Sequence, residues 1–296
     1  MASMHRRTLL KGAFSTGMGL AITAAASHES DAETNWQRIR RTKQIRVGSA
    51  NQVPYTFLDS RGTLVGQGID VLNAALAPYG TFKLVPAVGE FGSMIPGLLA
   101  NRFEVIDTGI FIRPARCQQI LFGNPDSLSH DAFVVKRGNP LNVHSYADVA
   151  KNPKVRIAIN RGGVEEGYAK SAGIPESQWV ILPTDQDLIA AVQSGRADVA
   201  ADTETILIPL LKKAGGTGIE LAQPFTVPLG TNGKPAIDYG AMAFRKQDAD
   251  FKKAYDVGLG KLVASAQLKS INAKWGLPAD LTPDASTPTA ETICMG

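Results

Sequence analysis

The segment 90–117, EFGSMIPGLLANRFEVIDTGIFIRPARC, combines aromatic rings and a guanidinium in a short stretch of chain. An arginine presents a planar fork of N–H donors that fits the two oxygens of a carboxylate. Aromatic faces attract a diffuse cation by about 0.5–2 kcal/mol each where water is excluded. Phe91, Phe111 and Arg116 could therefore bind a small solute that carries both charges. The alternatives are two rings in the core and an arginine on the solvated surface.

Other kinds of site have no matching pattern in the sequence. The four histidines, His5, His28, His130 and His144, are scattered and have no metal-ligand spacing. The glycine-rich segment 160–167, NRGGVEEG, lacks the Gly-Lys-Ser/Thr ending of a phosphate loop. No nucleophile-elbow motif indicates a Ser-His-Asp set. We therefore expect no metal, no cofactor and no catalytic triad.

The net charge gives little support to a nucleic-acid partner. The 296 residues carry a formal charge of +4 and are 44% hydrophobic and 20% charged, which is typical of globular proteins. Three of the 31 basic residues and none of the 27 acidic ones lie in 1–26, so the remainder is close to neutral. We expect no nucleic-acid binding.

The first 26 residues have the pattern of an export signal. A basic start precedes a mildly apolar stretch and three alanines at 24–26, after which we predict cleavage. The run RRTLLK, 6–11, resembles a twin-arginine signal, although general secretory signals also carry paired arginines. We therefore predict that 1–26 is a twin-arginine-type signal peptide and that the mature protein is periplasmic.

Strand and helix patterns alternate along the rest of the chain. Strands are predicted at 44–50, 82–87, 105–109, 132–136, 155–160, 179–182, 198–201, 219–222 and 238–245. Helices are predicted at 31–42, 68–76, 93–101, 164–172, 185–194, 206–213, 248–263 and 266–274. Thr184 and Gly195 are the expected N-cap and C-cap of the helix 185–194. This alternation indicates parallel sheets, whose ligands bind at the carboxyl ends of the strands.

The two stretches of alternation predict two α/β lobes. We expect the chain to cross between them in the strands 132–136 and 239–245. The first lobe is then discontinuous, 27–135 and 240–296, and the second is 136–239, with a ligand cleft between them. Phe91 precedes a predicted helix and Phe111 follows a predicted strand, which are positions that face such a cleft.

Two cysteines, Cys117 and Cys294, lie in a chain predicted to be exported. An oxidising compartment favours disulfides, so the pair could join the C-terminal tail to the first lobe. Two unpaired thiols remain the alternative, because the sequence gives no distance between them.

The segment 90–125 resembles the core motif of periplasmic solute-binding proteins of the polar amino acid family. DQDLIAAVQSGRAD, 185–198, is similar to the second-lobe motif of that family. The likeness covers nearly the whole chain after the leader and is greatest to members that bind ectoine and hydroxyectoine, through FIRPARC, GGVEEGYAK, GAMAFRK and the last cysteine. It implies a type II periplasmic binding protein, with two α/β lobes, a ligand cleft and two crossing strands as a hinge.

The resemblance also implies which residues bind the solute. Arg116 would bind the carboxylate, and Tyr55, Phe91 and Phe111 would surround a cationic ring. Glu165 would reach the ring N–H groups from the second lobe when the lobes close. Alternatively, as a first-turn residue of a helix, Glu165 only complements the helix dipole.

Two ligand positions depart from the pattern of the family. Gln52 stands where an acid is expected, and Val164 stands where a hydroxyl is expected. If the solute is ectoine, Gln52→Glu should tighten its binding. The acid that holds the α-amino group in amino-acid binders falls on Thr203, and Asp202 is one residue early. This offset argues against an ordinary α-amino acid.

The resemblance implies a transport receptor and not an enzyme. The lobes would close on a small zwitterionic solute, ectoine or hydroxyectoine, and the closed monomer would dock on the permease subunits of an ABC importer in the inner membrane. A polar amino acid or opine receptor is the alternative. An exported dehydratase, with Glu165 or Glu90 as general acid, is a third interpretation, although three rings suit a cation better than a dianionic substrate.

Overall fold

The computed structural model describes residues 33–215, 218–230 and 233–295. The predicted signal peptide, 1–26, lies outside these described residues. The elements below all belong to the compact unit that begins at Thr34. Within the described ranges, no helix combines the length and the apolar character needed to cross a membrane.

The strands are short, and most follow or precede a helix. They are β1 (Gln44–Ser49), β2 (Phe57–Leu58), β3 (Leu64–Val65), β4 (Lys83–Val88), β5 (Val105–Ile106), β6 (Leu121–Phe122), β7 (Ser127–Ser129), β8 (Asp131–Lys136), β9 (Ile157–Asn160), β10 (Trp179–Leu182), β11 (Val199–Thr203), β12 (Ile219–Leu221), β13 (Asp238–Gly240) and β14 (Ala243–Phe244).

The α-helices alternate with these strands. They are α1 (Asn35–Thr42), α2 (Gln67–Leu76), α3 (Met94–Leu99), α4 (Pro114–Cys117), α5 (Tyr146–Lys151), α6 (Glu165–Ser171), α7 (Asp185–Ser194), α8 (Glu204–Lys213), α9 (Ala249–Ala264), α10 (Gln267–Lys274) and α11 (Ala290–Met295).

The first lobe contains a five-stranded sheet in the order β4-β1-β5-β14-β6. β1 is parallel to both neighbours, with Val47 opposite Pro86 of β4 and Val105 of β5. β14 pairs antiparallel with β5 and β6, so the last strand of the chain returns to the first lobe. The carboxyl ends of β1, β4 and β5 therefore share one edge of the sheet.

The second lobe contains a five-stranded sheet in the order β10-β9-β11-β8-β12. β9 is parallel to β10 and β11, while β8 is antiparallel to β11 and β12. All four residues of β9 are buried, as expected for a parallel strand covered on both faces. The carboxyl ends of β9 and β11, at Asn160 and Thr203, lie on one edge.

The chain crosses between the lobes in two short antiparallel strands, β7 and β13, with Leu128 opposite Tyr239. The sequence predicts the first crossing at 132–136 and the lobe boundary after 135. The structure differs there, because β8 is a central strand of the second sheet and is buried at every residue except Lys136. The first crossing therefore precedes β8, and the second, β13, lies at the start of the predicted range 239–245.

Several local predictions are confirmed. Thr184 begins α7 by accepting a hydrogen bond from the backbone N–H of Asp187 at 3.2 Å. Gly195 ends the helix in the left-handed conformation, with φ of 73°. The C-terminal tail is different, because it forms the helix α11, which the Pro- and Thr-rich sequence did not predict. A disulfide joins Cys294 of α11 to Cys117 of α4, with the two Cα atoms 5.8 Å apart.

Candidate ligand-binding site

A small cavity of about 20 Å³ lies between the lobes, where the strands of both sheets end. It is lined by Gln52, Phe91, Gly109, Phe111, Arg116, Asn160, Gly163, Val164, Glu165, Asp202 and Ile206. A volume of this size holds roughly one water molecule. A solute with several heavy atoms therefore reaches these side chains only when the lobes move apart, as hinged lobes do.

Arg116 contributes the positive charge of the cavity. It lies in the short helix α4, which begins at Pro114, a residue type favoured at the first position of a helix. This helix follows Phe111 closely in the chain, so it places the arginine close to that residue. Its Nη1 donates to the carbonyl oxygen of Phe111 at 2.7 Å, and its Nη2 donates across the cleft to the carbonyl oxygen of Gly162 at 2.9 Å. Among the described residues no carboxylate forms an ion pair with Arg116. The guanidinium can thus exchange carbonyl partners for a solute carboxylate.

Burial and the charge of Arg113 lower the pKa of Arg116 to about 10. The side chain therefore remains positively charged at neutral pH. An anionic group placed beside it would recover part of the solvation that burial removes. This favours a carboxylate over a neutral group at that point of the cavity.

The aromatic rings are not equivalent. Phe91 lies in a 3₁₀ turn after β4, with the Arg116 guanidinium 5.5 Å from its ring centroid. Phe111 is buried and forms an isolated bridge with Gly240 at the end of β13. Tyr55 does not line the cavity. Its ring lies behind Gly109, where a Cβ would come within 2.5 Å of it, and its hydroxyl is hydrogen-bonded to Thr205 of the second lobe at 2.9 Å.

Glu165 brings an acid to the second-lobe side of the cavity. It is the first residue of α6 and is 3% exposed. Gly163 makes room for it, since a Cβ there would lie 2.2 Å from Glu165 Oε2. Burial, and also the charge of Asp238, raises the pKa of Glu165 to about 7. The carboxyl is therefore poised between its neutral and charged forms near physiological pH.

A network of amides and carboxyls forms the rest of this side. Gln52 Nε2 donates across the cleft to Asp185 Oδ1 at 3.0 Å and Oδ2 at 3.1 Å. Asn160 Nδ2 donates to Asp185 Oδ1 and, at 3.3 Å, to Asp202 Oδ2. Asn160 Oδ1 is buried without a hydrogen-bond partner. The network leaves one acceptor of Asn160 and the carboxyl of Asp202 in the cavity lining.

Acidic groups outnumber basic ones on the second-lobe side. Burial raises the pKa of Asp202 well above its usual value, and the charge of Asp185 raises it further. Burial also raises the pKa of Asp185, although hydrogen bonds from Gln52 and Asn160 oppose the shift. A cationic group in the cavity would lower both pKa values and stabilise the charged carboxylates. The two sides of the cavity are therefore matched to opposite ends of a zwitterion.

An ion pair connects this region to the hinge. Arg113 forms a salt bridge with Asp238 of β13. Tyr168 of α6 donates to the same Asp238 oxygen at 2.9 Å and accepts from Arg113 Nη2 at 3.0 Å. First lobe, second lobe and crossing strand therefore meet at one buried carboxylate.

The cavity brings together six of the residues singled out from the sequence: Gln52, Phe91, Phe111, Arg116, Val164 and Glu165. Asn160 and Asp185 are not among the ligand-binding residues predicted from the sequence, although Asn160 is a polar residue at the end of an apolar strand. Asp202 lines the cavity despite its offset. Because side chains alternate along β11, Thr203 points to the opposite face, where it is fully buried and hydrogen-bonded to Thr205 at 3.3 Å.

Residues 45–278 match the family described as bacterial extracellular solute-binding proteins, family 3. The chain belongs to this family. A crystal structure of EhuB in complex with hydroxyectoine superposes with a TM-score of 0.80 at 31% sequence identity, over 88% of this chain and 98% of that one. The expected fold, a type II periplasmic binding protein of two α/β lobes, is confirmed.

Two curated relatives place the chain among binding proteins of amino-acid transport. A probable amino-acid ABC transporter periplasmic-binding protein of Sinorhizobium fredii (strain NBRC 101917 / NGR234), y4tE, is 32% identical over 256 residues, 85% of this chain and 84% of the relative. The lysine/arginine/ornithine-binding periplasmic protein of Escherichia coli (strain K12) is 25% identical over 256 residues, 84% of this chain and 90% of the relative. Both are named as binding proteins and not as enzymes.

The described side chains offer no alternative site for a metal ion. In the ranges 33–215, 218–230 and 233–295, no group of three or more His, Cys, Asp or Glu residues could hold one. The clustered acids of the cavity are instead linked by amide groups, as described above. Their arrangement suits N–H donors of an organic solute.

Proposed function

We propose that this protein is the receptor of an ABC importer and binds a small zwitterionic solute of the ectoine type outside the cytoplasm. The observation that carries the proposal is the division of charge across one cavity. Arg116 and the faces of Phe91 and Phe111 lie on one side, and Glu165 and Asp202 lie on the other. A carboxylate and a delocalised amidinium of one small molecule would match these two sides.

The order in which the two lobes contact the solute follows from where the cavity residues lie. The first lobe offers a guanidinium and rings that a solute can meet while the lobes are apart. The second lobe adds Glu165 and Asp202 only on closure, because both line the cavity together with the first-lobe groups. Closure would then favour solutes that present N–H donors to the second lobe. The closed form would dock on the permease subunits as a monomer, after export and cleavage of 1–26.

A polar α-amino acid is the second candidate solute. Asp202 favours it, since a carboxyl in the cavity lining can hold an α-amino group even though the residue is offset by one in the sequence. The likeness to the amino-acid transport protein of Sinorhizobium fredii supports the same candidate. Arg116 would bind the carboxylate in either case, so the two candidates differ only in the cationic group.

The proposal is tested by calorimetric titration of the protein without its leader. Bound solute is first removed by reversible unfolding with the disulfide kept oxidised. We expect saturable ectoine or hydroxyectoine binding with a dissociation constant of micromolar order or lower. Binding of polar L-amino acids alone would select the second candidate. The receptor function would be overturned if neither ectoine, hydroxyectoine nor any polar L-amino acid bound. It would also be overturned if mass spectrometry showed that the protein converts one of these solutes chemically.

A further inference from the structure

The orientation of the Gln52 side-chain amide is fixed by the first lobe. Thr108 Oγ1 accepts a hydrogen bond from the backbone N–H of Ala50 at 3.1 Å, so its own proton is available to Gln52 Oε1, 2.8 Å away. Gln52 is 4% exposed and forms a bridge with Thr56 through its backbone. The oxygen of the amide therefore faces Thr108, and the NH₂ group points across the cleft.

An acceptor on the second lobe meets this NH₂ group. Both oxygens of Asp185 lie within hydrogen-bonding distance of Gln52 Nε2, at 3.0 and 3.1 Å. Asn160 Nδ2 also donates to Asp185 Oδ1, so two amide groups, one from each lobe, hold the same carboxyl. Donor and acceptor belong to different lobes, so this contact exists only while the lobes are together.

The burial of Asp185 is not explained by the start of its helix. Acidic residues in the first turn of a helix usually lie in solvent, where they complement the helix dipole. In α7 the cap is supplied by Thr184, which accepts from the backbone N–H of Asp187 at 3.2 Å and donates to the Asp187 carboxylate at 2.6 Å. Asp185 is instead 4% exposed, and both of its oxygens lie within hydrogen-bonding distance of Gln52 of the first lobe. Burying a carboxyl costs free energy unless hydrogen bonds compensate for the lost water. For Asp185, one of the compensating donors is Gln52 of the other lobe.

We propose that Asp185 is a positioning residue of the solute site, which holds Gln52 across the cleft and so keeps the lobes closed on the bound solute. Asp185 does not line the cavity and acts through Gln52, which does. This inference rests on the proposed function, since it assumes that the closed lobes retain a solute. Because the contact forms after the solute has entered, it slows dissociation and leaves association nearly unchanged.

The test is the rate of solute release from Asp185→Asn. We expect the dissociation rate constant of ectoine, or of L-arginine if ectoine does not bind, to rise about 10-fold, the equivalent of one hydrogen bond to a charged group. The association rate constant should change less than about twofold. Stopped-flow tryptophan fluorescence measures both. Asp187→Asn is the matched control, because it removes the same charge from the same helical turn without touching the first lobe.

A double-mutant cycle separates a direct contact from a general loss of structure. Gln52→Leu should accelerate release by itself but add little in the Asp185→Asn background, because the contact is already weakened. Additive effects of the two substitutions would overturn the proposal. So would equal changes in the association and dissociation rates, or a release rate of Asp185→Asn that matches the control.

The outcome remains informative if the proposed function fails. If neither ectoine nor any polar L-amino acid binds the unmodified protein, closure of the lobes can still be followed without solute. Small-angle X-ray scattering then gives the radius of gyration of each variant. Asp185→Asn should then have a larger radius of gyration than the unmodified protein and than Asp187→Asn. Equal radii for all three proteins would overturn the role of Asp185 in closure.

Discussion

The two sides of the cleft are built from different chemistry. The first-lobe side has one guanidinium, two aromatic rings and the amide of Gln52, and the guanidinium is hydrogen-bonded to two backbone carbonyls. The second-lobe side has the carboxyls of Glu165 and Asp202, linked through Asn160 to Asp185. Only the first side can bind a carboxylate, and only the second can accept from several N–H donors.

This difference indicates how the task of binding is divided. Arg116 is held within its own lobe by the carbonyl oxygen of Phe111, and its bond across the cleft to the carbonyl oxygen of Gly162 is absent while the lobes are apart. The pKa values of Glu165 and Asp202 are raised because burial removes the water that would solvate their charged forms. A cationic partner would best restore that stabilisation. Under the proposed function, initial capture would depend on the first lobe, and selection among captured solutes would depend on the second.

The largest expected effect comes from the only guanidinium that lines the described cavity. Arg116→Ala should weaken solute binding about 100-fold, since the carboxylate loses two hydrogen bonds to a charged group. Arg116→Lys keeps the charge without the planar fork and should lose about 10-fold. Titration calorimetry measures both. Arg61→Ala is the control, because that side chain is 84% exposed. Unchanged affinity in Arg116→Ala would remove the first-lobe side from the proposed site.

Gln52→Glu tests where the two sides touch. From the sequence alone this substitution is expected to tighten ectoine binding. The structure reverses the expectation, because the new carboxylate would face Asp185 in place of an NH₂ donor. We predict about 10-fold weaker binding near neutral pH, from the lost hydrogen bond and the repulsion. The loss should diminish as the pH falls, because burial favours the neutral form of a carboxyl and protonation removes the repulsion. Tighter binding at pH 7 would contradict the contact.

The rings should have a smaller effect that depends on solute charge. Phe91→Leu should weaken binding of a cationic or zwitterionic solute about 3- to 10-fold, in line with a desolvated cation–π contact. Phe57→Leu is a matched control, since Phe57 packs edge-on against Trp275. The same titration is repeated with an analogue in which a neutral amide replaces the cationic group of the solute. An equal loss for that analogue would show that Phe91 contributes only apolar surface.

The last expected effect concerns stability and not affinity: Glu165 should make the free energy of unfolding depend on pH. Its pKa in the folded protein is raised from 4.5 to about 7, chiefly by burial, so the folded state holds a proton that the unfolded chain releases. The free energy of unfolding should therefore fall as the pH rises from 4.5 to 7, with a contribution of about 1–3 kcal/mol from this group.

Glu165→Gln should remove that part of the decline, because glutamine does not titrate. Urea unfolding at several pH values between 4.5 and 7.5 measures it, and Glu176→Gln, at an exposed position, is the control. If both variants followed the pH profile of the unmodified protein, Glu165 would not be the carboxyl that holds the proton.

Much of the fold could be predicted from the sequence. The helix 185–194 was predicted to the residue, since its cap, its apolar spacing and its terminal glycine are all local signals. The first crossing was not, because a strand of apolar residues such as β8 looks the same whether it joins two lobes or lies in the centre of a sheet. The helix α11 was also missed, because the Pro- and Thr-rich segment before it carries no helical pattern.

The candidate site divides in the same way. Phe91, Phe111 and Arg116 could be singled out because they occur in one continuous motif next to strand ends. Tyr55 belongs to the same resemblance, yet its hydroxyl is bonded to Thr205 and its ring lies behind Gly109. Its contact with the solute stays a prediction, and such a contact requires that the lobes open.

By itself, the sequence determined the alternation of strands and helices, the family, and the basic and aromatic side of the cleft, because these depend on neighbouring residues. Tertiary structure alone decided that Asp185 meets Gln52, 133 residues away, and that Asp202 rather than Thr203 faces the cavity. Such contacts depend on sheet register and on the approach of two lobes. Neither is encoded in local spacing, because both result from the packing of segments that are distant in the chain.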